Sequence, residues 1–142
     1  MRTPTRHALA LLALPALAML AGCETVAEKA NDAIGFEYVA ALTGASGTGK
    51  AEVSLNDATN TLCTDLELSA GVMMTAGHLV GPGDTVIANL EVPGKNDTSN
   101  DSVDCDPITD AQLDGIKANP GAYRIHIAAS NGDLLGTLRK EM

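Results

Sequence analysis

His78 and His126 are the residues of this chain best suited to binding a metal ion. Imidazole suits copper and zinc, and a thioether sulfur favours copper. If the two histidines lie on neighbouring strands, Asp84, Met73 or Met74 could complete a copper or zinc site. In the alternative interpretation, each histidine bonds a backbone carbonyl at a sheet edge and fixes a loop. Both interpretations stay open on the sequence alone.

Cys23 ends a segment that looks like a bacterial lipoprotein signal. Arg2 and Arg6 give a basic start, and an apolar run over residues 8–21 follows. That run is too short to span a bilayer as a stable helix but suits a signal peptide. Leu20-Ala21-Gly22-Cys23 resembles the lipobox, whose cysteine is acylated after the leader is removed. The alternative is an ordinary secretory signal with a cysteine near its cleavage site.

The lipobox resemblance sets the expected domain boundaries and location. Residues 1–22 are expected to be removed, residues 23–35 to form a tether carrying palmitate-type acyl chains on Cys23, and residues 36–142 to fold as one domain. Several acyl chains on one residue hold a protein firmly to a membrane. Inner-membrane retention of bacterial lipoproteins is associated with an aspartate directly after the lipidated cysteine. Here Glu24 follows Cys23, so resemblance to that sorting rule implies the outer membrane.

The charge of the expected mature chain limits its partners. All 18 acidic residues follow Cys23, whereas only seven of the basic residues do, which leaves a net charge of −11. Such a surface repels the phosphates of nucleic acid, so we exclude nucleic-acid binding. With membrane attachment through the lipid, the expected partner is an envelope or extracellular protein.

The two remaining cysteines, Cys63 and Cys105, predict a disulfide. An even number of cysteines in an exported domain is most simply a bridge. Two thiols that are free or in a metal site are the alternative, which is disfavoured because the chain has no CxxC motif and no Cys-His cluster. We therefore expect a structural bridge.

No motif in the chain supports catalysis. The glycine-rich stretch 44–50 is not followed by the Ser or Thr of a P-loop, and no nucleophile elbow is present. The acidic series over residues 97–110 lacks the spacing of a calcium-binding EF-hand, and we interpret it as a solvated loop. Its members are Asp97, Asp101, Asp104, Asp106 and Asp110. The expected protein is not an enzyme and has no cofactor, with copper as the alternative.

Apolar residues alternate with polar ones along most of the domain, which predicts strands. The predicted strands cover residues 36–42, 51–55, 62–68, 75–80, 85–92, 123–127 and 134–138. A long acidic loop is predicted over 93–107, a capping box at Thr109 predicts a helix over 110–118, and Asn131-Gly132 predicts a hairpin turn. Many short strands with turns at this spacing predict an antiparallel β-sandwich with one short helix.

The order of several short segments resembles the CHRD (chordin-type) domain. The matching segments are Tyr38-Val39-Ala40-Ala41-Leu42-Thr43-Gly44, Gly47-Thr48-Gly49-Lys50-Ala51, Thr75-Ala76-Gly77-His78-Leu79-Val80-Gly81-Pro82, Asn119-Pro120-Gly121-Ala122-Tyr123-Arg124-Ile125-His126 and Gly132-Asp133-Leu134-Leu135-Gly136-Thr137-Leu138-Arg139. The resemblance covers residues 36–139. It implies an immunoglobulin-like or superoxide-dismutase-like sandwich with no assigned enzymatic activity.

This sequence departs from the family pattern at two places. The family usually has a His-x-His pair at mid-chain, where His78 matches the first position and Val80 replaces the second histidine. The loop after Leu42 is also shorter than usual. His126 matches the histidine of the closing strand. The loss of the second histidine of the His-x-His pair removes the strongest ligand geometry for a metal.

Overall fold

The computed structural model describes residues 36–93 and 101–142, which form an antiparallel β-sheet and one short helix. The strands are β1 (Phe36–Gly44), β2 (Gly47–Asn56), β3 (Thr61–Leu68), β4 (Met74–Val80), β5 (Val86–Leu90), β6 (Asp101–Pro107), β7 (Arg124–Ala129), β8 (Leu134–Thr137) and β9 (Arg139–Lys140). The helix α1 spans Asp110–Ala118, and short 3₁₀ turns cover Pro82–Asp84 and Pro120–Ala122.

The sheet runs continuously in the order β5-β4-β7-β8-β1-β2-β3-β6, and β9 also pairs with β1. Every pairing is antiparallel. Buried side chains from both halves of the sheet belong to one hydrophobic cluster, so the sheet wraps around a single core. Its two edge strands approach each other where the Ser102 hydroxyl donates to the Glu91 carbonyl at 2.9 Å. The gap between β5 and β6 is hereafter the seam.

Period-two alternation explains which side chains enter the core. Tyr38, Ala40 and Leu42 on β1 are buried, as are Ala51, Val53 and Leu55 on β2. Successive side chains of a strand point to opposite faces, so these residues share the inner face. The expected all-β antiparallel, sandwich-like class with one short helix is thus confirmed.

Helix α1 lies between the β2–β3 turn and the start of β7. The Thr109 side chain accepts a hydrogen bond from the Gln112 backbone, and the Gln112 side chain accepts one from the Thr109 backbone, which completes the predicted capping box. Leu113 and Ile116 enter the core. Lys117 forms an ion pair with Asp57, which ties the helix to the β2–β3 turn.

The prediction of a loop over residues 93–107 is wrong for its second part. Residues 101–107 form β6, which pairs along its whole length with β3. The inward positions of β6 are Ser102, Asp104 and Asp106, so this strand lacks the apolar inner face by which strands are recognised. Pairing with a neighbouring strand, and not local preference, forms this strand. The turn between β1 and β2 is also shorter than predicted, since the strands pair up to Gly44 and Gly47.

Candidate functional site

The two histidines lie directly opposite each other on neighbouring strands. His78 of β4 pairs in register with His126 of β7, as the metal-site interpretation required. Ile125 and Ile127 point into the core, so His126 points outward between them. Directly opposed residues of an antiparallel pair have their Cβ atoms about 4.5–5.5 Å apart. Both imidazoles are therefore half-buried neighbours on the outer face.

Each imidazole has one hydrogen-bonding partner at its outer side. His78 Nδ1 lies 3.0 Å from Asn89 Oδ1, and Asn89 is the residue opposite His78 on β5. His126 Nε2 lies 3.0 Å from Asp133 Oδ2 in the turn between β7 and β8. The hydrogen bond from His126 holds the pKa of the Asp133 carboxyl below its ordinary value. Nε2 of His78 and Nδ1 of His126 have no partner among the described residues, so these two nitrogens could bind a ligand.

Two of the three residues expected to complete a metal site are engaged elsewhere. Asp84 forms an ion pair with Arg124. Met74 is buried in the core, and Met73 is exposed ahead of β4. Within residues 36–93 and 101–142, no three His, Cys, Asp or Glu side chains come together as a metal site. The described residues therefore supply a pair of imidazoles and not a closed site.

The predicted bridge between Cys63 and Cys105 is present. The two cysteines are opposite each other on β3 and β6, with their Cα atoms 4.0 Å apart. Cys63 is on the outer side of β3, since its neighbours Leu62 and Thr64 point inward. The predicted loop over 93–107 would have carried Cys105, whereas the bridge joins two adjacent strands of the sheet.

The acidic series divides between two faces and the helix. Asp101 points to the outer face opposite Glu67, whereas Asp104 and Asp106 lie on the inner side of β6. Asp110 begins α1, where its carboxylate accepts a hydrogen bond from the Asn60 side chain. Asp97 lies outside the described residues. The sequence did not reveal this division, since it depends on the register of β6.

The outer surface of β2, β3 and β6 carries a group of four acidic side chains. The register places Glu52 beside Asp65 and Glu67 beside Asp101, and these four residues are hereafter the outer acidic face. Lys50, opposite Glu67 and ion-paired with Glu52, is the cation in this group. A shallow groove of about 300 Å³ adjoins it, lined by Thr48, Gly49, Lys50, Glu67, Leu68 and Ser69.

The predicted leader (1–22), the lipidation site Cys23 and the tether to residue 35 lie outside the described residues. Among the residues that are described, no helix has the length and apolar character needed to cross a bilayer.

Comparison with known families gives one match. The family model described as the CHRD domain matches residues 34–138. No curated protein and no solved structure matches the chain significantly. The family match covers almost the whole of the described sheet, from the start of β1 to the end of β8.

Proposed function

The chain belongs to the CHRD domain family, and on that premise we propose that it is a non-catalytic binding protein anchored by lipid in the bacterial cell envelope. One observation carries the proposal: the CHRD match begins at residue 34, a short tether away from the lipobox-like Leu20-Ala21-Gly22-Cys23. A lipid on Cys23 would hold the domain close to a membrane surface. Glu24 favours the outer membrane.

Labelling with palmitate tests the anchor. We expect labelled palmitate to enter the full chain and the protein to sediment with the outer membrane. Cys23→Ser should abolish both labelling and sedimentation. The matched control is the Cys63→Ala/Cys105→Ala variant, which removes the other two thiols and should still be labelled. Equal labelling of the Cys23→Ser variant would contradict the anchor.

The outer acidic face is the surface we propose for a protein partner. Its four carboxylates lie on adjacent strands of a rigid sheet with a single lysine among them. Complementary charge steers association and selects partners. The partner is accordingly an envelope or extracellular protein with a basic surface.

Charge reversal tests this surface. A photo-crosslinker placed at the exposed Val103, beside the outer acidic face, should capture one envelope protein reproducibly. Glu67→Lys should reduce this capture strongly, and capture should also fall as salt rises. Asp114→Lys, on the exposed side of α1, makes the same change of charge elsewhere and should leave capture unchanged. An equal reduction by both variants would refute the assignment of the surface.

Copper binding by His78 and His126 is the second candidate, favoured by the direct opposition of the two rings. Two imidazoles on neighbouring strands match the ligand preference of copper, and waters or a partner group would complete the coordination. This function would make the protein a metal-binding module of the envelope.

Metal analysis separates the second candidate from the first. Protein purified from copper-supplemented cells should retain copper stoichiometrically, and His126→Ala should lose it in both metal analysis and calorimetric titration. Thr48→Ala, an exposed position on β2, serves as the control. Unchanged titration of the His126→Ala variant would end the copper hypothesis.

A further inference from the structure

In strand β6 apolar side chains point outward and acidic side chains point inward, which is the reverse of the usual arrangement beside a core. Val103 and Cys105 point outward, whereas Asp104 and Asp106 lie opposite the buried residues Thr64 and Leu62. Opposed residues of an antiparallel pair project to the same face. The two carboxylates therefore lie on the inner side of the sheet, at the seam.

Thr64 carries a buried hydroxyl without a partner. Its side chain is 2 % exposed, and its Oγ1 has no hydrogen-bond partner among the described residues. On the inner face it is bordered by Leu62, Leu66 and Val53, all core residues, and towards the edge by Asp104. Burying a hydroxyl without a hydrogen bond costs free energy that valine, of the same shape, would avoid. The unpaired oxygen therefore lies on the same face of the sheet as the carboxylate of Asp104, the residue opposite Thr64.

Neither carboxylate forms an ion pair with any residue that the structure describes. One oxygen of Asp104 accepts the Cys105 backbone N–H at 2.9 Å, which leaves the other available. Burial raises the pKa of Asp106, and the negative charge of Asp104 raises it further. The pair would therefore be stabilised by a cation.

Protection of the sheet edge explains part of this arrangement. Inward charges on an edge strand discourage pairing with another chain. Such protection requires neither a second carboxylate next to the first nor the buried hydroxyl of Thr64. These two features together point to a ligand.

We propose that Asp104, Asp106 and the Thr64 hydroxyl bind a calcium ion at the seam between β5 and β6. All the donors are oxygen atoms, which suit hard cations, and calcium accepts six to eight oxygens in flexible geometry, so waters complete the shell. Magnesium demands near-ideal octahedral geometry and suits this half-open strand edge less well. With two charged ligands, the site belongs to the weak class of exported modules, with Kd on the order of 1 mM. It is separate from the histidine pair and does not depend on the proposed anchor.

Calcium-dependent stability of the full chain in detergent tests the proposal. Binding to the folded state alone scales the folding equilibrium constant by 1 + [Ca²⁺]/Kd, about tenfold at about 10 mM calcium. Urea unfolding in calcium chloride should show this increase in the folding equilibrium constant relative to unfolding in sodium chloride of equal ionic strength. Magnesium chloride should give a smaller increase. Asp104→Asn/Asp106→Asn should abolish it, and Thr64→Val should weaken it while the fold is kept.

The matched control removes two carboxylates from the other face of the same two strands. Glu67→Gln/Asp101→Asn should keep the full response to calcium. An equal loss in both double variants would mean that calcium only screens surface charge, and would overturn the site. An unchanged response in Asp104→Asn/Asp106→Asn, or calorimetry showing no calcium binding at about 10 mM, would overturn it as well.

Discussion

Gly136 lies where β8 passes close to β1. A Cβ atom added at this position would lie 2.5 Å from the Ala41 carbonyl oxygen and 2.7 Å from Leu42 Cδ2. The nearer of these atoms belongs to the backbone of a central strand and has little freedom to move. The absence of a side chain at this residue thus determines how closely the two strands pack.

Gly136→Ala should therefore destabilise the domain by about 1–3 kcal/mol, the range for overpacking a core. Urea denaturation would measure the loss. Gly121→Ala is the control, because its added Cβ would meet nothing nearer than 3.7 Å and should change the free energy of unfolding little. Equal stability of the two variants would contradict the close approach of β8 to β1.

The His126–Asp133 hydrogen bond predicts a pH-dependent contribution to stability. The pKa of Asp133 is lowered from 3.8 in the folded state, mainly by His126. The folded state thus favours the carboxylate, so this stabilisation is present above pH 3.8 and lost as pH falls through the lowered pKa. Asp133→Asn should reduce the free energy of unfolding at pH 7, and the difference should vanish at low pH. A difference that persists unchanged at pH 2.5 would exclude this cause.

At the scale of elements, β6 is held to the sheet by a covalent bond as well as by its ladder. In the part of the chain that the structure describes it is an edge strand that pairs with β3 alone, and its inner residues are polar or acidic rather than apolar anchors. The Cys63–Cys105 bridge joins directly opposed residues of the two strands. This cross-link supplies the attachment that a hydrophobic face supplies to the other strands.

Removing the bridge should destabilise the domain substantially. The cysteines are 42 residues apart, for which the chain-entropy model gives about 4 kcal/mol and engineered bridges often give less. We expect Cys63→Ala/Cys105→Ala to lower the free energy of unfolding by about 2–4 kcal/mol in urea. Dithiothreitol should lower the free energy of unfolding of the natural chain by a similar amount and should leave that of the double variant unchanged. Cys23→Ser should remain sensitive to the reductant, and an insensitive natural chain would refute the role of the bridge.

Elements with a local signal were predictable. The capping box located α1 at residues 110–118, and Asn131-Gly132 located the turn between β7 and β8. Alternation identified the buried faces of β1 and β2. Strand β6 escaped prediction because its stability comes from pairing with β3 and from the bridge, neither of which leaves a periodic pattern in the strand itself.

At the scale of the whole molecule, negative charge dominates. The chain carries 18 acidic and nine basic residues, and the imbalance grows if the leader is removed. Like charges on a compact surface repel each other and destabilise the folded state. The described ion pairs Lys117–Asp57 and Arg124–Asp84 offset only a small part of this repulsion.

Added salt should therefore stabilise the protein. Raising sodium chloride from about 10 to about 100 mM shortens the Debye length from about 30 to about 10 Å and screens the repulsion. The urea midpoint, measured with EDTA present, should rise over this range. Glu67→Lys/Asp101→Lys, which is less negative, should show a smaller rise. A fall in the midpoint would mean that screening of the ion pairs outweighs screening of the repulsion.

Local patterns were enough to predict the antiparallel class, the inner faces of most strands, the helix and the pairing of the two cysteines. These features follow from alternation, capping and cysteine number. Three further features arise when the strands assemble: His78 faces His126, residues 101–107 form a strand, and Asp104 and Asp106 lie beside Thr64. They could not be predicted because the register between distant strands depends on packing of the whole sheet, which no single segment encodes.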